Sequence, residues 1–205
     1  MRRSALQPVL ATLAPARFAR QMKCKCDTPV IMKTIEIRRH SIRSIPGDHL
    51  NQAGVSLARR VGEGVGPFDR VVTSTLPRAF ETAIAMGFAV DEQMELMSTY
   101  GADVEREIPW PQSFASYARA VRRKPAAQWY GDQLSSYYAT LAERLEEARA
   151  ALVINHGGIV ELSITASFPD ADYESWGDAV YYCEGARLFW QDGRFVNAEL
   201  LRVSR

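Results

Sequence analysis

The chain has 205 residues, enough for one domain whose core needs no disulfide or metal to hold it. Its hydrophobic share of 47%, charged share of 24% and net charge of +1 are those of an ordinary globular protein, so no global field argues for nucleic acid or an anionic membrane. No apolar run approaches the roughly 18–20 residues of a spanning helix, and three unevenly placed cysteines (Cys24, Cys26, Cys183) point to reduced thiols in a cytoplasmic protein.

In chain order, residues 1–31 stand apart. Arg2, Arg3, Arg17, Arg20, Lys23 and Lys25 all precede the first acidic residue, Asp27. This is the composition of an organelle transit peptide, or of an extension ahead of a start at Met32. The second reading is favoured, because Met32-Lys33-Thr34 leads straight into the first strand. Residues 1–31 are therefore expected to be a poorly ordered extension and 32–205 a single catalytic domain. Cys24-x-Cys26 has no further Cys or His nearby, so no metal site is expected there.

Thr34–Arg38 reads as a buried strand, and Pro46-Gly47 marks a turn in the loop after it. Asn51 can cap a helix running to about Val61, with Ala53, Leu57, Ala58 and Val61 at helical spacing. Asp69–Ser74 reads as a second strand. Ser74 or Thr75 then caps a helix with Pro77 in its first turn, running to about Met86. A short strand is expected within 88–95. Residues 97–133 read as irregular, and Leu134–Arg149 as an amphipathic helix. Ala151–Ile154 is the next strand, Gly157–Ser167 a helix, and 186–190 with 194–203 a hairpin joined at Asp192-Gly193. Strands alternating with helices predict an α/β protein: a three-layer α/β/α sandwich on a mostly parallel mixed sheet with an antiparallel edge.

Two of the three histidines end apolar strands: Ile35-Glu36-Ile37-Arg38-Arg39-His40 and Ala151-Leu152-Val153-Ile154-Asn155-His156. Ligands of open α/β sheets sit at the carboxyl ends of strands, so the two imidazoles can meet over one site. Arg39 and Arg43 flank the first, and guanidinium forks suit phosphate. Arg78 lies just inside a helix start, where a cation has no dipolar reason to be unless an anion binds nearby. Gly157-Gly158 lets backbone approach a ligand closely. His49 lines the pocket mouth or, as favoured, faces solvent. The aromatic and basic residues of 110–130 read either as a lid over the substrate or as a peripheral cluster packed on the core.

Arg39-His40-Ser41, Leu50-Asn51-Gln52-Ala53-Gly54, Ser74-x-x-x-Arg78-Ala79-x-x-Thr82-Ala83 and Val153-Ile154-Asn155-His156-Gly157-Gly158 occur in that order over residues 34–160. Together they resemble the histidine phosphatase superfamily, whose fold is phosphoglycerate mutase-like. The resemblance implies a metal-independent phosphatase with no cofactor, hydrolysing a small-molecule phosphomonoester through a phosphohistidine on His40. It implies that Arg39, Arg78 and His156 cradle the phosphoryl oxygens, with Arg43 as a third guanidinium. Clustered guanidiniums would lower the pKa of His40 and keep it a neutral nucleophile.

Two positions depart from the pattern. Ser41 replaces a glycine and brings a hydroxyl towards the phosphate, and Met97 occupies the position of the glutamate that protonates the leaving oxygen. Asp103 and Glu105 are the nearby acids expected to take that role. Three other readings stand beside the phosphatase: a catalytically weak phosphate-binding or regulatory protein, favoured by Met97; a phosphomutase; and a metal hydrolase using both histidines, disfavoured by three arginines and an incomplete ligand set.

Overall fold

Ile35 and Ile37 are fully buried on one face of the first strand, β1 (Lys33–Arg39), and Glu36 and Arg38, which alternate with them, are buried on the other. A strand covered on both faces belongs to the centre of a sheet with helices on either side. The structure, a computed structural model, describes residues 32–204; the extension expected over 1–31 lies outside them.

β1 pairs in parallel with β4 (Ala150–Asn155) on one side, and antiparallel with β5 (Gly185–Gln191) on the other. β2 (Arg70–Ser74) pairs in parallel with β4, and β3 (Glu92–Met94) with β2. β6 (Arg194–Leu201) completes a mixed six-stranded sheet of order β3-β2-β4-β1-β5-β6. The β5–β6 hairpin turns at Asp192 and Gly193, both at positive φ (50° and 77°), as a two-residue I′-type turn requires.

α1 (Gln52–Gly62) and α2 (Pro77–Ala85) cover one face, where Ala58, Ala79 and Ala83 meet Val71, Leu152 and Ile154. The short α3 (Gly101–Glu107) precedes α4 (Phe114–Arg123), α5 (Pro125–Arg144) and α6 (Ile159–Ser167), whose apolar sides join Ile35, Ile37, Val153 and Leu188 in the larger core. The expected three-layer architecture is the observed one. No helix among the described residues is long and apolar enough to cross a membrane.

Most of the stretch 97–133 is helical, not irregular; 98–100 and 108–113 are turn and loop. Ser113 caps α4 by accepting from Ser116 N–H, and Phe114, Tyr117, Ala118 and Val121 are buried on one side, with Arg119, Arg122 and Arg123 exposed on the other. Pro125 then starts α5 at once, so α5 begins nine residues before the expected Leu134 and ends at Arg144, not Arg149. The aromatics divide accordingly: Phe114, Tyr117 and Tyr130 are core, Trp129 is exposed, and Trp110 stands at the site described next. Neither Ser74 nor Thr75 is the N-cap of α2. Leu76 holds that position, because Ser74 bonds an imidazole and the Thr75 hydroxyl bonds Glu95 and Ser98.

Candidate active site

The β1–β4 register sets Arg39 opposite Asn155, and the ladder continues with His40 N–H donating to the Asn155 carbonyl at 2.9 Å. His40 and His156 therefore leave adjacent strands at the same level. Their ring centroids lie 5.1 Å apart, and both residues are buried, at 4% and 7% exposure.

Hydrogen bonds settle the protons. His40 Nδ1 lies 2.7 Å from the Ser41 carbonyl, which can only accept, so Nδ1 carries the proton and Nε2 the lone pair. His156 Nδ1 lies 3.2 Å from Arg78 Nε, which can only donate, so the His156 proton is on Nε2, 2.7 Å from Ser74 Oγ. Both imidazoles are neutral. Burial pushes His40 down to about 3, with Arg39, Arg78 and Arg43 adding to the effect. Burial likewise pushes His156 down to about 2, helped by His40 and the same arginines.

Each folded pKa lies below the free imidazole's 6.5, so the unfolded chain binds protons first as pH falls. This contribution to stability is full above 6.5 and is lost progressively towards 3 and 2, by up to about 1.4 kcal/mol per pH unit for each imidazole. Urea unfolding at pH 7 and pH 5 is expected to show that loss, and His156→Gln to remove about half of it; equal midpoints at the two pH values would contradict neutral buried imidazoles.

Three guanidiniums surround the pair. Arg39 is clamped between rings, its guanidinium carbon 4.6 Å from the Trp110 centroid and 4.4 Å from that of Tyr182. One fork nitrogen donates to Val180 O at 3.1 Å, and Nε has no partner among the described residues. Desolvation lowers its pKa. Arg78 is anchored by Asp48 at 2.5 Å. Arg43 donates to Gly47 O at 2.5 Å and acts on both imidazoles through its charge. Arg38, one residue from this group, points to the opposite face and is committed to Glu36.

No family model matches the chain, and no curated protein sequence does. Solved structures match it over most of its length. A phosphoserine phosphatase from Entamoeba histolytica, in complex with 3-phosphoglyceric acid, has a TM-score of 0.61 at 15% identity, over 84% of this chain and 98% of that one. A phosphoglycerate mutase from Bacillus anthracis has a TM-score of 0.57 at 14% identity, over 81% and 91%. A mycobacterial glucosyl-3-phosphoglycerate phosphatase has a TM-score of 0.54 at 15% identity, over 83% and 98%. The fold is phosphoglycerate mutase-like.

In this phosphoglycerate mutase-like fold the remaining expected residues divide. Ser41 does not face the site: it is fully buried, its hydroxyl donates to Gly54 O at 2.7 Å, and its N–H to Thr82 Oγ1 at 2.9 Å. A buried hydroxyl has one proton, and here it ties β1 to α1. Gly157 lies beneath Trp110, where a Cβ would meet Nε1 at 2.5 Å. Gly158 (φ +86°) lies beneath Tyr100, where a Cβ would meet the ring at 2.6 Å. The two glycines admit aromatic side chains to the wall of the site. Asp103 points away on α3 and pairs with Arg106 on the surface. Glu105 accepts from the Tyr100 hydroxyl, whose pKa burial raises. Met97 is fully buried in the core and offers no proton. His49 is exposed, bonded to Glu81 at 2.5 Å, and its pKa is raised by that bond.

Several contributors carry little sequence signal. Trp110 and Tyr182 clamp Arg39, Asp48 anchors Arg78, and Ser74 orients His156. Glu161 is fully buried; its two oxygens accept from Gly158 N–H at 2.6 Å and Val180 N–H at 2.9 Å, holding together the two loops that frame Arg39. Burial raises its pKa. Of these, only Ser74 sits in a recognisable motif. Among the described residues no three His, Cys, Asp or Glu side chains group as a metal site. A hollow of about 750 Å³ between α1 and α2 is lined by Leu50, Phe80 and Ile84, with neither His40 nor His156 in its wall.

Proposed function

We propose that the protein is a metal-independent phosphatase acting on a small-molecule phosphomonoester. His40 Nε2 attacks phosphorus, an N–P bond forms, and the P–O bond to the organic group breaks. Water then hydrolyses the phosphohistidine. The observation that carries this reading is the lone pair on His40 Nε2: Nδ1 is bound to a carbonyl, and burial with three nearby guanidiniums keeps the ring neutral. Phosphoryl transfer asks mainly for positioning and for positive charge on the equatorial oxygens, which Arg39, Arg78 and Arg43 supply. A bound dianion would compete with His156 Nδ1 for the Arg78 Nε–H. The phosphatases and the mutase that share the fold support phosphoryl chemistry at this position. The free, buried Cys183 fits a cytoplasmic protein.

Glu105 is the proposed proton donor to the leaving oxygen, working with Tyr100, whose ring lies against Gly158 beside His156. Asp103 is dropped from that role, since its partner is Arg106. Burial of Met97 at the usual position of the acid favours a second reading, a phosphate-binding protein of weak activity.

Hydrolysis of p-nitrophenyl phosphate in EDTA separates the two. The phosphatase reading expects undiminished turnover; binding of vanadate or phosphate without turnover supports the second. In either case Arg39→Ala and Arg78→Ala are each expected to weaken vanadate binding by about 1–3 kcal/mol, the scale of a charge-assisted hydrogen bond. Unchanged affinity in both variants would place the anion elsewhere.

A further inference from the structure

A second hollow, of about 490 Å³, opens beside Arg39. Its wall includes Arg39, Trp110, Gln112, Ser113, Asp178 and Tyr181. Two of these also belong to the candidate active site. Arg39 precedes His40, and Trp110 seats its Nε1 against Gly157, next to His156. Tyr182, beside the hollow in sequence, touches both the Arg39 guanidinium and the His40 ring, the latter at 5.8 Å between centroids. A group joined through oxygen to a phosphorus at His40 is therefore within reach of this space. Arg39 is 92% buried, 8% being exposed, and its Nε lacks a hydrogen-bond partner among the described residues.

We propose that this hollow receives the organic part of the substrate, and that this part is an uncharged polyol or sugar; the assignment rests on the phosphatase reading above. The wall offers donors and acceptors together: Arg39 and the Trp110 indole donate, and Asp178 accepts. Asp178 is exposed and anionic, and its backbone is fixed by Arg202, which donates to the Asp178 carbonyl at 2.7 Å. The Ser113 hydroxyl and the Gln112 amide both accept and donate. Hydroxyl groups match such a set. A carboxylate or second phosphate has no proton to give it and meets Asp178 as a like charge. Trp110 and Tyr181, 36% and 51% exposed, bring aromatic surface to the wall, which suits the C–H side of a sugar ring. One apolar face with a few convergent polar groups is the general form of a small-molecule site. The guanidiniums do not reverse this preference, because the transferred phosphoryl group occupies them.

The test compares kcat/KM of the full-length protein for p-nitrophenyl phosphate, glycerol phosphate, glucose 6-phosphate, phosphoethanolamine and 3-phosphoglycerate. Both polyol phosphates are expected to exceed 3-phosphoglycerate and phosphoethanolamine by roughly tenfold or more, the scale of one hydrogen bond to a charged group. Asp178→Ala is expected to reduce the ratio of glucose 6-phosphate to 3-phosphoglycerate by roughly the same factor, and Gln112→Ala to reduce it in the same direction. Asp178 and Gln112 are exposed, so both variants are expected to fold. Preference for phosphoethanolamine would replace the polyol by an ammonium ligand and overturn the assignment. Turnover of p-nitrophenyl phosphate with no preference among the others, or ratios unmoved in both variants, would overturn the assignment alone. Absence of turnover on every substrate would overturn the phosphatase reading and this one with it.

Discussion

His40→Ala is expected to abolish phosphomonoester turnover, by a factor on the order of 10³ or more. The reason is specific to this ring. Positioning residues can be lost one at a time at modest cost, since each removes one charge-assisted bond of several. Removal of the nucleophile leaves the phosphoryl group with no acceptor except water, which lacks a positioned base. The variant should keep its fold: His40 lies at the end of β1, and its backbone bond to Asn155 does not depend on the side chain. Vanadate should still bind His40→Ala through Arg39 and Arg78, which separates a lost nucleophile from a lost pocket. Quenching the wild-type reaction with labelled substrate should trap an acid-labile, alkali-stable adduct on His40. Residual turnover above about a tenth of wild type, or an adduct on another residue, would remove His40 from its role. The low pKa also predicts that the acid limb of activity does not begin near 6.5, because His40 stays neutral to about 3.

The second large effect concerns stability. Glu36 is 1% exposed and holds two arginines: its Oε1 accepts from Arg38 Nε at 2.6 Å, and its Oε2 from Arg187 at 2.6 Å. Arg38 is itself buried, and its other contact is the Cys183 carbonyl at 2.6 Å. Taking this carboxylate away leaves a guanidinium in the core without a counter-charge. Breaking one partner of a buried pair costs about 3–5 kcal/mol, a large share of the 5–15 kcal/mol that separates native from unfolded domains. At 2–4 °C per kcal/mol, Glu36→Ala is expected to lower Tm by roughly 6–20 °C. Arg187 is about one-third exposed and can turn to Glu199 or to water, so Arg38 carries most of the cost. The double variant Glu36→Leu with Arg38→Met removes the uncompensated charge and should recover much of the loss, because a buried ion pair adds little over apolar packing. A single variant with wild-type Tm, or a double variant no better than the single, would contradict this account of the β1 core.

How much of this was legible beforehand depended on the reach of each signal. The strands around Ile35, Val71 and Val153, the Asn51 cap and the Asp192-Gly193 turn are local events, set by side-chain period and backbone preference within a few residues. They appear where the residues predict. The helices α4 and α5 are also local, but Pro125 abuts the basic end of α4 and the aromatic side chains mask the repeat, so the segment reads as irregular. Helix caps failed where a side chain had a better distant partner: Ser74 could cap α2, but its hydroxyl bonds an imidazole 82 positions away.

By itself the amino-acid sequence determined the alternation of elements, and so the layered sheet, and it marked His40, Arg78 and His156 as chemically unusual at strand and helix ends. Local spacing carries that information, because backbone geometry is periodic. Only the tertiary structure decided the protonation pattern and the surroundings: which imidazole nitrogen is free, that Ser41 turns inward, that Asp103 faces Arg106, and that Trp110 and Tyr182 enclose Arg39. Those facts depend on the β1–β4 register and on burial, which arise from contacts between residues far apart in the chain and leave no periodic trace along it.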